Sequence, residues 1–214
     1  MKINYASPYS VKPIDFGIAY LIKKKTIVTE LLLEFGGHSL NYYIVHPELT
    51  IEKIYEILLQ ITEGLKYMEL FKIEHNDIKA CNILLDFIMG MPVIKFIDFD
   101  AAKKQSFTDL RSTQKGIPGY TGVYMAQELF QAKVKRIINS SLYRPFKCQV
   151  YSLGILILHL FHFLPFQERM NEFDQLYKGS IKDYNSFLDR FRNYSMSRYD
   201  PLTQRILRIV EICL

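Results

Sequence analysis

The chain has 214 residues, of which 49% are hydrophobic and 14% aromatic, a composition that supports a packed core and excludes wholesale disorder. Lys and Arg number 27 against 22 for Asp and Glu, and the net charge of +5 is scattered rather than gathered on a basic helix with stacking aromatics, so no nucleic-acid partner is expected. Cys81, Cys148 and Cys213 make neither a paired metal-ligand spacing nor a disulfide framework, which suits a reducing intracellular setting, in the simplest case the cytoplasm.

Residues 1–9 lack the apolar run of a secretory signal, and the longest apolar stretch, 153–166, is too short to span a bilayer and is broken by His159 and His162. No membrane partner is expected. Residues 11–21 and 26–33 are apolar and β-prone on either side of Lys23-Lys24-Lys25, which predicts two antiparallel strands ended by Gly36-Gly37. From 49 to 71, Ile51, Ile54, Tyr55, Leu58, Leu59, Ile61, Leu65 and Met68 recur three and four apart, predicting a long core helix entered after Pro47 and capped by Thr50. Residues 83–85 and 92–99 read as a strand pair around a Met-Gly-Met turn. Residues 105–124 read as a long loop of the kind that often carries function. The segment 150–163 is apolar nearly all round, as in a buried helix, and 201–214 predicts an amphipathic helix docked through Leu202, Ile206, Ile209 and Val210.

The chemistry sits in His75-Asn76-Asp77-Ile78-Lys79-Ala80-Cys81-Asn82, followed by the apolar run 83–85 and then by Asp98-Phe99-Asp100. This set resembles the catalytic loop H-R-D-x-K-x-x-N and the metal motif D-F-G of eukaryotic protein kinases. Three further segments extend the resemblance. Thr121 to Glu128 is similar to the T-x-x-Y-M-A-P-E close of the activation loop, with Gln127 in place of proline. Val150-Tyr151-Ser152-Leu153-Gly154 resembles the start of the helix beneath the catalytic loop. Val28-Thr29-Glu30 resembles the usual hinge opening, but Leu33-Glu34-Phe35-Gly36-Gly37, similar to a shorter hinge like that of the haspin-like branch, is preferred because it leaves a full-length strand before the glycines. Asp15-Phe16-Gly17 spells the metal motif literally, but no catalytic loop precedes it, so Asp15 is read as an ordinary strand or turn residue.

The resemblance implies an α+β protein-kinase-like fold, with a remnant of the small lobe and hinge over 1–37 and the mostly helical large lobe over 38–214. It implies ATP-dependent phosphoryl transfer to Ser or Thr of protein substrates, with ATP and Mg2+ as cofactors. By the same carry-over Asp77 is the base that orients the hydroxyl, Lys79 neutralises the γ-phosphate, and Asn82 and Asp98 hold the metal. Leu33, Glu34, Gly36 and Leu84 would line the nucleotide together with Asn82 and Asp98. The lysine two positions after the aspartate resembles the serine/threonine class.

The chain also departs from the family pattern. No Gly-rich loop, Val-Ala-x-Lys strand or Glu-bearing helix precedes Ser7. Asn76 replaces an arginine that binds a phosphorylated activation loop in many relatives, Asp100 replaces the motif glycine, and Gln149 replaces an aspartate that binds the catalytic-loop backbone. Glu128 is expected to lack its arginine partner. These departures imply an alternative function, a pseudokinase or kinase fragment acting as a binding module, with a protein partner covering apolar surface at both ends.

Overall fold

The computed structural model describes residues 8–21, 26–45, 49–104, 124–126, 145–161 and 201–213. β1 (Pro13–Leu21) and β2 (Thr26–Leu33) pair antiparallel, with Pro13 opposite Leu33 and Leu21 opposite Thr26. Asp15 lies inside β1 opposite Leu32, so the literal Asp-Phe-Gly there is strand, as its context implied. After β2 the Glu34 amide donates to the Lys12 carbonyl at 3.0 Å. The chain then turns through Gly37 into β3 (His38–Ser39), which pairs with β5 (Ile83–Ile88), and into the short α1 (Leu40–Val45).

α2 (Ile51–Leu70) begins as expected: the Thr50 hydroxyl accepts from the Lys53 amide at 3.4 Å, with Glu52 in the first turn facing the positive end of the helix dipole. Its buried positions are Ile54, Ile57, Ile61, Gly64 and Met68. Ile51 and Leu59 are exposed, which corrects the face read from hydrophobicity. An apolar residue at the margin of the stripe counts fully in a pattern but lies off the packed line, whereas Gly64 adds nothing to the pattern and is central to it. A Cβ on Gly64 would come within 2.5 Å of the Phe96 ring, so the helix approaches the sheet closely there. α2 ends as Lys72 adopts φ 58 and its amide donates back to the Glu69 carbonyl, a left-handed reversal that satisfies an otherwise orphaned acceptor.

After the short β4 (Ile73–Glu74), a 3-10 turn over Ala80–Asn82 leads into β5, which pairs with β6 (Met91–Phe96) in a regular register from Ile83 opposite Phe96 to Ile88 opposite Met91. Met89 and Gly90 both have positive φ, 53 and 80, the two-residue pattern whose twist matches a hairpin. The free edge of β6 is covered twice. The Gln60 side chain from α2 accepts from the Ile94 amide and donates to the Pro92 carbonyl, and the Tyr9 carbonyl accepts from the Phe96 amide. β7 (Lys103–Lys104) returns to pair with β4.

α3 (Pro145–Leu160) is buried along 151–160 on every side, as its nearly all-round apolar character predicts, with Ser152 and His159 enclosed among the apolar side chains. α4 (Pro201–Cys213) packs against it through Ile206 and Val210. Ile209, also expected to dock, is exposed, because one residue step turns a helical side chain by about 100° away from Val210. Among the described residues no helix is long and apolar enough to cross a membrane.

Candidate active site

The β5–β6 hairpin assembles the site. Its open end carries Asn82 just before β5 and Ile97-Asp98 just after β6, and the Ile97 amide donates to the Asn82 carbonyl at 3.0 Å. Two residues that lie sixteen apart in sequence are thereby brought to one edge. The loop between β4 and the 3-10 turn delivers Asp77 to the same place. Asn82 donates Nδ2 to both the carbonyl and the carboxylate Oδ2 of Asp77 at 3.0 Å, and Lys79 Nζ reaches the same Oδ2 at 2.6 Å. Lys79 and Asp77 side chains are only 18% and 10% exposed, so this ion pair is largely removed from water and depends on the Asn82 hydrogen bonds to satisfy the carboxylate. Asp77, Lys79 and Asn82 therefore form one bonded unit, with the exposed Asp98 at its rim.

The loop is fixed from below and from the side. Gln149 in α3 is buried, and its Oε1 accepts from the His75 amide at 2.8 Å, the backbone contact expected of that position with an amide in place of a carboxylate. His75 is buried; its Nε2 lies 3.0 Å from the Ile97 carbonyl, which requires the proton on Nε2, and its ring packs on Phe99 at 4.6 Å between centroids. Burial holds the imidazole pKa below its usual value, so His75 is a neutral strut. Its role is visible only once β6 is placed beside it.

A second cluster lies where β2 ends. Leu33 ends β2 with its side chain 41% exposed, and the Glu34 carboxylate accepts from the Lys12 amide at 2.9 Å and pairs with Lys95 of β6. Lys95, then the Lys12 amide, hold the Glu34 carboxyl below its ordinary pKa. Gly36 is buried against Leu84: a Cβ there would stand 2.7 Å from Leu84 Cδ1 and 3.3 Å from Val11. Glu34, Gly36 and Leu84 thus gather along one seam, with Leu33 adjacent in the chain at the end of β2, and β5 links Leu84 to Asn82 two residues away. Lys95 was not legible as part of this seam, since a lysine inside a strand carries no signal of its own.

Asp100 is absent from the residues with positive φ, which among non-glycine described residues are Lys72, Asn76, Met89 and Asp98. Replacing the motif glycine there costs no backbone strain in this conformation. Of the segment 121–128 only Tyr124, Met125 and Ala126 are among the described residues, and Gln127 and Glu128 lie outside them. Tyr124 is buried, its carbonyl accepts from Ser152 Oγ at 2.7 Å, and its hydroxyl donates to His159 Nδ1 at 2.6 Å. The Ala80 backbone also hydrogen-bonds that hydroxyl, while burial, the largest influence, raises its pKa and keeps it protonated. One tyrosine so ties the Ala80–Asn82 turn to two points on α3.

This tie makes stability sensitive to acid. Burial lowers the pKa of His159 from 6.5 to about 4, so the unfolded chain takes up a proton near pH 6.5 that the folded chain refuses until near pH 4. The stabilisation is complete above pH 6.5 and is lost as pH falls through that window; His75 shifts in the same direction. Urea titrations are expected to show about 2 kcal/mol less stability at pH 5 than at pH 7 from His159 alone. His159→Asn, which keeps an acceptor for Tyr124, should flatten that slope, and a wild-type stability that is level from pH 7 to 5 would count against the assignment.

For divalent metal, the oxygen donors fit. Asn82 spends its amide nitrogen on Asp77, which leaves Oδ1 for a cation, and Asp98 offers an exposed carboxylate. Among the described residues no three His, Cys, Asp or Glu side chains converge as a self-sufficient metal cage. Mg2+ is commonly held by one or two protein oxygens together with substrate phosphates.

The Protein kinase domain family model matches residues 18–214. A probable serine/threonine-protein kinase of Dictyostelium discoideum is 28% identical over 168 residues, covering 66% of this chain and 12% of that protein. The serine/threonine-protein kinase atg1 of the same organism is 30% identical over 125 residues, covering 58% and 17%. The chain therefore spans less than a fifth of the length of either relative. Among solved structures, the yeast RNA Pol II CTD kinase CTDK-1 complex superposes with a TM-score of 0.57 at 19% identity, covering 74% of this chain and 46% of that one, which supports the fold. Matched from β1 through α4, the chain belongs to the protein kinase domain family.

Proposed function

We propose that the chain transfers the γ-phosphoryl group of ATP to Ser or Thr hydroxyls of protein substrates. The observation that carries the reading is the bonded unit of Asp77, Lys79 and Asn82 with Asp98 at its rim. Asp77 accepts two hydrogen bonds on one oxygen, Oδ2, so its carboxylate is oriented before a substrate arrives and can align a hydroxyl and receive its proton. Lys79 supplies a fixed positive charge beside that carboxylate, where negative charge grows as the phosphoryl group moves. Mg2+, when bound, neutralises phosphate charge, and Asn82 Oδ1 and the Asp98 carboxylate would hold it. The hinge seam of Leu33, Glu34, Gly36 and Leu84 would receive the base of the nucleotide. The Ser/Thr assignment rests on Lys79 and on the two relatives described as serine/threonine kinases.

Titration with ATP and Mg2+, followed by thermal melting, tests the binding half of this reading. Nucleotide at a hundred times its Kd should stabilise the fold by about 2.7 kcal/mol, and the gain should shrink when Mg2+ is withheld. An unchanged melting temperature at millimolar ATP and Mg2+ would instead favour a binding module without turnover.

A further inference from the structure

We propose that Asn76 is a positioning residue that clamps the Asp98 corner from the catalytic loop, an inference that rests on the phosphotransferase reading of the site. Asn76 is fully buried and has φ 65, a left-handed conformation that asparagine tolerates better than most side chains. Its Nδ2 donates to the Ala101 carbonyl at 3.0 Å and lies 3.4 Å from the Glu74 carbonyl. Ala101 stands three residues after Asp98, in the turn closed by the Ala102 amide donating to the Phe99 carbonyl at 2.9 Å.

The preceding residue, His75, holds the Ile97 carbonyl on the other side of Asp98. Two consecutive residues of the loop thus grip the carbonyls before and after the corner. Asp98 itself has φ 63, and a strained conformation of this kind persists only where its surroundings over-determine it. The β4–β7 pairing of Glu74 with Lys103 continues the same seam beyond Ala101. The corner that presents the Asp98 carboxylate is therefore held by a neutral hydrogen bond from within the loop.

Two substitutions separate the amide from the backbone. Asn76→Gly keeps the positive φ at no steric cost and removes the donor. Asn76→Asp keeps the shape and sets an acceptor against the Ala101 carbonyl. Amide hydrogen exchange across 97–104 is expected to accelerate about tenfold in both, the worth of one neutral hydrogen bond, while amides of α2 exchange as in the wild type. The Mg2+ concentration for half-maximal phosphoryl transfer is expected to rise by a similar factor, with the ATP requirement at saturating Mg2+ unchanged. Wild-type exchange across 97–104 in both variants would overturn the proposal, as would acceleration spread equally over α2. A wild type that transfers no phosphate would defeat the activity reading alone, and the exchange measurement would still decide the role of Asn76.

Discussion

Gly37→Ala is expected to destabilise the protein by about 3 kcal/mol, combining a left-handed backbone penalty with overpacking against main chain. Gly37 has φ 96, and a Cβ there would stand 2.1 Å from the Leu85 carbonyl oxygen and 2.5 Å from its carbon. Those atoms belong to β5, which pairs with His38 and Ser39 directly after the glycine, so neither side can retreat without breaking the β3–β5 pairing. The displacement would also shift Leu84, the residue next to Leu85 that packs on Gly36. Gly90 provides the control: it has φ 80, yet nothing lies within 4 Å of its added Cβ. Gly90→Ala should therefore lose only about 1 kcal/mol, the backbone penalty alone. Urea midpoints of the two variants measure the difference, and equal losses would mean that the turn at Gly37 does not press on β5 as described.

Asp77→Asn is expected to lower phosphoryl transfer by about 10²–10⁴-fold, the usual worth of a positioned general base. The amide retains an oxygen that can accept from Asn82 but can no longer take a proton from the attacking hydroxyl. It also leaves the Lys79 charge, now mostly buried, without its counterion, so some loss of stability accompanies the loss of rate. The two effects separate by measuring rate at a temperature well below the melting transition of the variant. The KM for ATP should change little, since Asp77 is not among the residues assigned to the nucleotide. A variant that retains wild-type transfer would remove Asp77 from the mechanism.

Much of this was legible in the sequence because it depends on local chemistry. The Thr50 cap, the strand pair around Met89-Gly90 and the all-round apolar α3 follow from capping, turn residues and periodicity acting within a few residues. Asp77, Lys79 and Asn82 were singled out by resemblance to a family motif, and the structure brings their side chains into one hydrogen-bonded cluster. What escaped was tertiary. Gly64 is central to the α2 face because the Phe96 ring approaches it, and a missing side chain leaves no mark in a hydrophobic pattern. Ile51, Leu59 and Ile209 are apolar by type but turned outward by the helical repeat. The bridge from Tyr124 to His159 spans two elements far apart in sequence, and the Asn76 contact with Ala101 exists only because β7 folds back on β4. A substitution away from a family pattern shows what is lost; the contact that replaces it appears only in three dimensions.

The most direct measurement is transfer from γ-labelled ATP by the purified chain in Mg2+ to a mixture of basic proteins, followed by phosphoamino-acid analysis of the products. Phosphoserine and phosphothreonine should accumulate with time, depend on Mg2+, and fall to background in Asp77→Asn. Phosphotyrosine alone would contradict the substrate class, and no labelled product at any Mg2+ concentration from a folded wild-type chain would contradict the phosphotransferase itself.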